Sequence, residues 1–275
     1  MGPRTSCRSV VVCFVVAAGV SYALVQQQAQ SGPSEETSTP PAATYRSPFA
    51  VAVSPDSKRV YVSDRTARCV EILDPAGKQK QGEIPLEGQP LGMCLSPDGA
   101  RLYVAERGAS SVAVIDTAKS TVAGRIKTDR WPVAVALAPK SRRLFVANED
   151  TNQVTVVDLS ESPGKPIKQI PVVREPCALA VTPDERYVVV NNRVPLGVST
   201  DPTLAAVVSI IDTSKLAQTA TVKLPPGSSV VFGVCTSPDG KWAYVVHGLG
   251  RFNLPMTQLE RGWVNTFALS IIDIA

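Results

Sequence analysis

The phrase "SPDSKRVYVSD" at residues 54–64 returns as "SPDGARLYVAE" at residues 96–106, and three looser copies follow. The five copies align on the prolines of their turns, which are Pro55, Pro97, Pro139, Pro183 and Pro238. The first two steps between these prolines are 42 residues each, from 55 to 97 and from 97 to 139. A period of about 42 residues with short alternating strands is typical of the blades of a β-propeller.

Each unit predicts the same succession of elements. A first strand such as "AVAV" leads into the "SPD" turn, in which proline suits the second position of a type I turn. Strands such as "RVYVS" and "VEILD" follow, and a weaker fourth strand is seen in "TVAGRIKT" at residues 121–128. We therefore predict an all-β β-propeller of four-stranded blades at residues 45–275, with five units visible and the last one incomplete. The period-2 alternation predicts that the blades pack face to face.

The N-terminal part differs in composition. Arg4 and Arg8 precede an apolar run at residues 10–25, which is too short for an ordinary membrane span. Residues 1–25 are therefore predicted to be a signal peptide or a short membrane anchor, and the protein to be exported to the periplasm or the cell exterior. Residues 26–44 are rich in Gln, Ser, Thr and Pro and are predicted to be a disordered linker.

The fifth unit ends after its third strand, and the linker at residues 26–44 is a poor source of the missing fourth strand. We therefore expect that the chain is truncated at its C-terminus and lacks further blades or a whole domain. A lone five-bladed ring is the alternative.

The phrases "VYVSD", "LYVAE" and "LFVAN", each followed by a strand like "VAVID", resemble the YVTN family of β-propeller repeats. The resemblance covers residues 48–273 and implies the fold, whereas propellers of this kind serve many functions. The final stretch, "HGLGRFNLPMTQLERGWVNTFALSIID", is similar to segments of large exported bacterial proteins that join such a propeller to cytochrome c-type haem domains. That resemblance implies a haem c domain downstream of this chain. No cofactor is expected within the chain itself, because it contains no "CxxC" and hence no "CxxCH".

The six cysteines suggest no convincing disulfide pair, although an exported protein would permit one. Cys94 and Cys235 occupy the same slot of their units, two residues before the turn serine, where other units have alanine. Both are predicted to be small buried core residues. Cys69 opens a strand, and Cys177 lies at the entrance of a blade.

One polar residue per unit lies nine positions after the turn proline, where the second strand ends. A ring of these side chains around the mouth of the channel is the predicted binding site, and its members are Asp64, Glu106, Asn148, Asn192 and His247. The alternative is that they only cap strands and shape turns. A calcium ion held by Asp64, Glu106 and Asn148 is chemically reasonable. His247 is the only histidine, which opposes a zinc or copper enzyme.

Two connections between second and third strands are enlarged, at residues 193–205 and 248–268. They belong to neighbouring units and are expected on the same face, and long insertions in a regular repeat typically mark the working face. The second loop is the predicted partner surface, because Trp and Arg are frequent interface anchors. Its residues of interest are Arg251, Phe252, Asn253, Gln258, Arg261, Trp263 and Asn265. The alternative is that the loop only covers the end of the channel.

Two functions remain open at this stage. The first is a non-catalytic binding or docking platform, with a protein partner or a fused redox domain. The second is a propeller hydrolase of the lactonase type, whose acidic site would recruit Asp64, Glu106, Glu149 or His247. No matched acid–base pair or "GxSxG" motif favours catalysis. The net charge of +4 without a Lys/Arg run opposes a nucleic-acid partner.

Overall fold

The computed structural model describes residues 7–8, 45–76, 79–198, 200–250 and 265–274. These residues form five antiparallel sheets arranged as the blades of a β-propeller, which confirms the predicted fold. The predicted signal peptide or anchor and the predicted linker lie outside the described residues, apart from the backbone of residues 7 and 8. Among the described residues, no helix is long and apolar enough to cross a bilayer.

The first four blades contain four strands each, in the order in which they follow one another along the chain. Strand β1 (Cys7–Arg8) precedes them in the sequence and belongs to blade five. Blade one is β2 (Pro48–Val53), β3 (Val60–Asp64), β4 (Cys69–Leu73) and β5 (Lys80–Pro85). Blade two is β6 (Gln89–Leu95), β7 (Arg101–Arg107), β8 (Ser111–Asp116) and β9 (Thr121–Lys127). Blade three is β10 (Pro132–Ala138), β11 (Arg143–Asn148), β12 (Gln153–Asp158) and β13 (Lys165–Pro171). Blade four is β14 (Pro176–Val181), β15 (Tyr187–Asn192), β16 (Val207–Asp212) and β17 (Ala217–Lys223).

Blade five contains three strands of the repeat, and these strands are longer than their counterparts. They are β18 (Ser228–Thr236), β19 (Trp242–Gly250) and β20 (Asn265–Asp273). The two-residue strand β1 pairs with the outer edge of β20 through Cys7 opposite Ile272 and Arg8 opposite Ile271. The innermost strands β2, β6, β10, β14 and β18 pack consecutively, so they define the central channel.

The repeated "SPD" phrase forms the turn between the first two strands of a blade. In blade one, Asp56 accepts hydrogen bonds from the hydroxyl of Ser54 at 2.6 Å and from the amide of Lys58 at 3.1 Å. Hydrogen bonds of the same kind recur at Asp98, Asp184 and Asp239. The aspartate therefore stabilises the turn by satisfying groups that the strands leave unpaired.

Blade three lacks this aspartate, because its turn reads "APKS". Glu185 of blade four instead accepts hydrogen bonds from two other amides of this turn, those of Lys140 at 2.7 Å and Ser141 at 2.9 Å. The Nζ atom of Lys140 in turn donates to the carbonyl oxygen of Pro183 at 2.7 Å. A turn that is stabilised locally in the other blades is thus stabilised across a blade junction here.

The hydrophobic core lies between the blades, with one apolar cluster at each of the four junctions. At the first junction, for example, Tyr61 and Ile72 of blade one pack against Val104 and Ile115 of blade two. Successive side chains of a strand point to opposite faces, so each blade contributes one set of residues to each neighbour. Full burial of a large apolar side chain contributes roughly 1.5–3 kcal/mol, which makes these junctions the main source of stability.

Candidate functional site at the channel mouth

The five polar residues predicted at the mouth occupy equivalent positions in the five blades. In blades one to four each lies opposite a proline at or next to the start of the innermost strand, and in blade five His247 lies opposite Val231. Next to them, the turn that follows the second strand is tied to the connection that enters the blade. The amide of Glu149, for example, donates to the carbonyl oxygen of Trp131 at 2.9 Å. The predicted residues therefore share one level of the propeller.

Three of these side chains hydrogen bond to the third strand of their own blade. The Nδ2 atom of Asn148 donates to the hydroxyl of Thr155 at 2.8 Å, and that of Asn192 donates to Ser209 at 3.0 Å. The Nε2 atom of His247 lies 2.9 Å from the hydroxyl oxygen of Ser270. All three side chains are buried. Their shared contact links the second and third strands where the sheet reaches the mouth.

Glu106 is the most extensively bonded member of the set. Its fully buried carboxylate accepts hydrogen bonds from Arg125 Nε at 3.0 Å, from the hydroxyl of Ser111 at 3.0 Å, and from the amides of Glu87 at 2.9 Å and Gly88 at 3.3 Å. A Cβ atom at Gly88 would lie 2.9 Å from the carbonyl oxygen of Arg107, so glycine is needed for this close approach. Both carboxylate oxygens of Glu106 are therefore engaged within the protein.

Asp64 is also buried and caps the turn of its own blade. Its Oδ1 atom accepts from the amides of Ala67 at 2.9 Å and Ser47 at 3.2 Å, and Arg46 lies 3.7 Å from Oδ2. Burial alone would raise the pKa of Asp64, but these amide hydrogen bonds and the Arg46 charge outweigh it and lower the pKa. Asp64 is thus held as a carboxylate.

The five side chains therefore make their hydrogen bonds inside their blades, as the turn-shaping alternative expects, and their role in binding stays a prediction. The atoms left for an additional contact are the Oδ1 atoms of Asn148 and Asn192, which are buried and have no hydrogen-bond partner. Calcium binding by Asp64, Glu106 and Asn148, which the spacing permits but does not demand, also stays untested, and both Glu106 oxygens are already used by protein donors. Burial lowers the pKa of His247, so its imidazole is held neutral.

A potential metal-ligand cluster lies elsewhere, on the outer part of blade one. It consists of Cys69, Glu71 and Glu83, whose ligand atoms all lie within 4.8 Å of one another. Within the described ranges, no other group of three or more His, Cys, Asp or Glu side chains meets this distance. Arg46 and Lys80 form ion pairs with both carboxylates. Burial also raises the pKa of Cys69, so the thiol is protonated. Protein cations therefore already neutralise this cluster.

A second layer of charged and aromatic side chains lies just above the buried set, over blades two to four. Glu149 is buried between two arginines: Arg107 Nη2 lies 3.3 Å from its Oε2 atom, and Arg193 donates a hydrogen bond to its Oε1 atom. The guanidinium of Arg107 also lies over the ring of Trp131, 4.2 Å from its centroid. These contacts fix the orientation of Arg107 at the mouth.

The two enlarged connections meet at one short backbone segment, which supports their predicted placement on the same face. The amide of Gly227 donates to the carbonyl oxygen of Leu204 at 2.8 Å, and the amide of Gly250 donates to the carbonyl oxygen of Gly227 at 2.9 Å. Leu196 and Val198 of the first connection are exposed. Of the predicted partner surface, Asn265 begins β20 opposite Gly250, and the other six residues lie outside the described residues.

Blade five presents an apolar face that no blade in the described part of the chain covers. We call it the forward face, because in blades one to four the equivalent face is covered by the next blade along the chain. Its exposed members are Phe232, Val246 and Phe267, with exposures of 53%, 41% and 62%, and the two phenylalanine rings lie 5.6 Å apart. The equivalent positions of Val246 in blades two and three, Ala105 and Ala147, are fully buried.

The cysteines of the repeat are free thiols, as the sequence indicates for Cys69, Cys94, Cys177 and Cys235. Cys94 is partly buried and packs against the apolar cluster between blades two and three, so its predicted core position is met in part, and burial raises the pKa of its thiol to about 12. The same prediction is wrong for Cys235, which is exposed. The reason is that its slot faces the next blade, and the forward face of blade five is uncovered.

Comparisons with known proteins agree with the architecture. A family model described as "Lactonase, 7-bladed beta-propeller" matches residues 90–172, which span blades two and three. The solved structure titled "Kuenenia stuttgartiensis Hydrazine Synthase" superposes with a TM-score of 0.75 at 24% identity, covering 89% of this chain and 67% of that chain. The chain is a β-propeller. A functionally unknown protein from Desulfotomaculum acetoxidans superposes with a TM-score of 0.60 at 13% identity, covering 73% of this chain and 64% of that one.

At these identities the two solved structures establish the fold alone. No curated protein matches the sequence. The suspected resemblance to the YVTN family and to propeller–cytochrome c fusions stays a prediction, as do export and the protein partner.

Proposed function

We propose that this chain is an exported, non-catalytic β-propeller that serves as a docking platform for another protein domain. The docking surface is the forward face of blade five. The observation that carries the proposal is the exposure of Phe267, Val246 and Phe232 on a face whose counterparts form blade junctions everywhere else in the molecule.

The other blades provide an internal control. On the forward faces of blades two and three, Val112, Val114, Val154 and Val156 are buried, with exposures of 0–2%. Their counterparts in blade five, Leu269 and Ile271, remain partly exposed because nothing packs on them. A partner that covers this face would bury large apolar side chains, and each contributes roughly 1.5–3 kcal/mol before the costs of association. Exposed apolar surface of this kind is a common feature of interaction sites.

The partner class that the sequence implies is a haem c redox domain. The final stretch of the chain is similar to segments that precede such domains, and the chain itself has no "CxxCH". In this proposal the haem belongs to the partner, and the propeller contributes a rigid apolar face. His247 is unsuited to ligate an incoming haem iron, because it is buried and its Nε2 atom contacts Ser270.

The test is capture of the partner from the exported fraction of the source cells by the immobilised full chain. The paired substitution Val246→Ser and Phe267→Ser removes the apolar face, and Ile167→Ser on the outer strand β13 is the matched control, with a native exposure of 45%. A protein retained by the wild type and the control but lost with the paired variant supports docking. Equal retention by all three contradicts it, and the absorbance spectrum of the retained protein decides whether it carries haem.

The second candidate is a lactonase-type hydrolase, which the family match over residues 90–172 favours. That segment contains Glu106 and Glu149, two of the three acidic residues considered for catalysis, and Asp64 lies outside it. The contacts within the protein oppose the idea, because Glu106 is fully bonded and Glu149 is held by two arginines. Hydrolysis of a panel of lactones by the purified chain, abolished by Glu149→Gln, would establish this alternative. An inactive wild-type chain would exclude it for these substrates.

A further inference from the structure

A cleft on the mouth side lies over blades one to three and is separate from the docking surface of blade five. It has a volume of about 550 Å³ and is lined by residues from four different connections. Arg68 comes from blade one, Glu87 and Gln89 from the entrance to blade two, Arg107 from the turn of blade two, and Trp131 from the entrance to blade three. A concave site with a few convergent polar groups is the usual form of a ligand site.

The lining of this cleft favours a single negative charge. It contains two arginines and one glutamate, and Arg125 Nη1 lies 3.0 Å from that glutamate, Glu87. Arg68 is exposed, and within the described ranges its side chain makes no ion pair or hydrogen bond. Arg107 shares its carboxylate partner, Glu149, with Arg193, so this group of three carries one net positive charge. A guanidinium presents paired N–H donors that match a carboxylate.

Trp131 adds a flat apolar wall. It is 43% exposed and adopts a left-handed backbone with φ of 56°, which is uncommon for a residue with a side chain. One face of its ring is covered by Arg107 at 4.2 Å, so the indole is held in a defined orientation. An exposed aromatic ring fixed in this way stacks well on a flat group of a ligand.

We propose that this cleft binds an organic carboxylate that carries an aromatic or other flat group, with the carboxylate on Arg68 and the flat group against Trp131. The site lies on blades one to three and does not depend on docking at blade five. A free small molecule and the C-terminal carboxylate of a peptide ending in an aromatic residue share this chemistry. Phosphate is disfavoured because Glu87 lies on the rim with its side chain 68% exposed.

The experiment is a titration of the full chain into 4-fluorobenzoate, followed by ¹⁹F NMR, with neutral 4-fluorobenzamide as the matched probe. For a ligand of this size the dissociation constant is expected on the order of 1 mM. Arg68→Gln should weaken binding about fivefold, as expected for a solvent-exposed charge pair. Trp131→Leu should weaken it about three- to tenfold. Circular dichroism of both variants checks that the fold is intact.

Arg142→Gln is the control, because Arg142 is an exposed arginine in the turn between β10 and β11 on the opposite side of the propeller. This variant should bind like the wild type. Equal binding of the benzamide, or binding that Arg68→Gln leaves unchanged, would overturn the proposal. Displacement of the probe by equimolar inorganic phosphate would show a general anion site and would also overturn it.

A second arm separates the two sources of the ligand. A tripeptide ending in phenylalanine should compete with the probe when its C-terminus is a free carboxylate and should fail when it is an amide. Competition ten or more times stronger than that of 4-fluorobenzoate would identify a peptide C-terminus as the ligand. Weaker competition would identify a small molecule.

Discussion

The Nε2 atom of His247 lies 2.9 Å from the hydroxyl oxygen of Ser270, which places the only histidine of the chain in a contact that other blades make with asparagine. Asn148 and Asn192 donate to Thr155 and Ser209 in the same way. The histidine thus has a structural counterpart in each of the two preceding repeats, and it has the same role as those asparagines. It links two strands of blade five at the mouth.

Replacement of His247 by asparagine should therefore preserve the fold and change the pH dependence of its stability. Burial lowers the pKa of His247 in the folded state, whereas the unfolded side chain titrates near its ordinary value of about 6.5. Below about pH 6.5 the unfolded state binds more protons, so wild-type stability should fall as the pH decreases, by at most about 1.4 kcal/mol per pH unit. Urea unfolding at pH 7.5 and 5.5 measures this difference.

The asparagine variant serves as the control for the wild type, because its side chain at position 247 does not titrate between pH 5.5 and 7.5. Its stability should change less between pH 7.5 and 5.5 than that of the wild type. An identical pH dependence in both proteins would show that His247 is not the group responsible.

Glu185→Ala should lower the free energy of unfolding by about 1–2 kcal/mol, because it leaves the amides of Lys140 and Ser141 without their charged acceptor. The measurement is chemical denaturation of the two proteins. Adding Lys140→Asp gives this turn the aspartate of the other blades, which would accept from the amide two residues further on. The double variant should therefore recover part of the loss through a different hydrogen bond. A double variant as unstable as Glu185→Ala would contradict the account of this turn.

Cys235 should be the fastest of the repeat cysteines to react with a maleimide at pH 8. Its thiol is exposed, whereas burial raises the pKa of Cys94 to about 12 and that of Cys177 to about 11. Because the thiolate is the reactive form, the partly buried thiols of Cys94 and Cys177 should react at least about 100-fold more slowly than that of Cys235. Peptide mapping by mass spectrometry assigns each modification. Comparable rates at Cys94 and Cys235 would mean that the blade junctions open readily.

Much of the architecture can be predicted from the sequence. The 42-residue step and the turn chemistry identify the blades. The sequence also predicts a strand at residues 121–128, where the structure has β9 at Thr121–Lys127. The cross-blade acceptor of blade three could not be predicted, because Glu185 lies 45 residues from Lys140 and has no sequence pattern that marks the contact. The only sequence signal for this contact is that the turn of blade three lacks the "SPD" phrase, which indicates that its amides need another acceptor.

The site was harder to predict than the fold. The spacing places Asn148, Asn192 and His247 at one level, but it does not reveal whether a side chain points towards the channel or along the sheet. That direction depends on the partner hydroxyl in the third strand, as Thr155 and Ser270 show. The stack of Arg107 on Trp131 joins two blades, so the sequence of a single repeat does not predict it.

The most direct test of the docking proposal is the rate at which Cys235 is labelled inside the exported fraction of the cell, relative to the purified chain. Cys235 lies on the forward face of blade five, so a bound partner should cover it, and 90% occupancy would slow labelling about tenfold. A Lys168→Cys variant, with its thiol on the outer strand β13, reports whether the reagent has access. Slow labelling of Cys235 with unchanged labelling at position 168 is the result that the account predicts. Equal rates for Cys235 in both settings would contradict it.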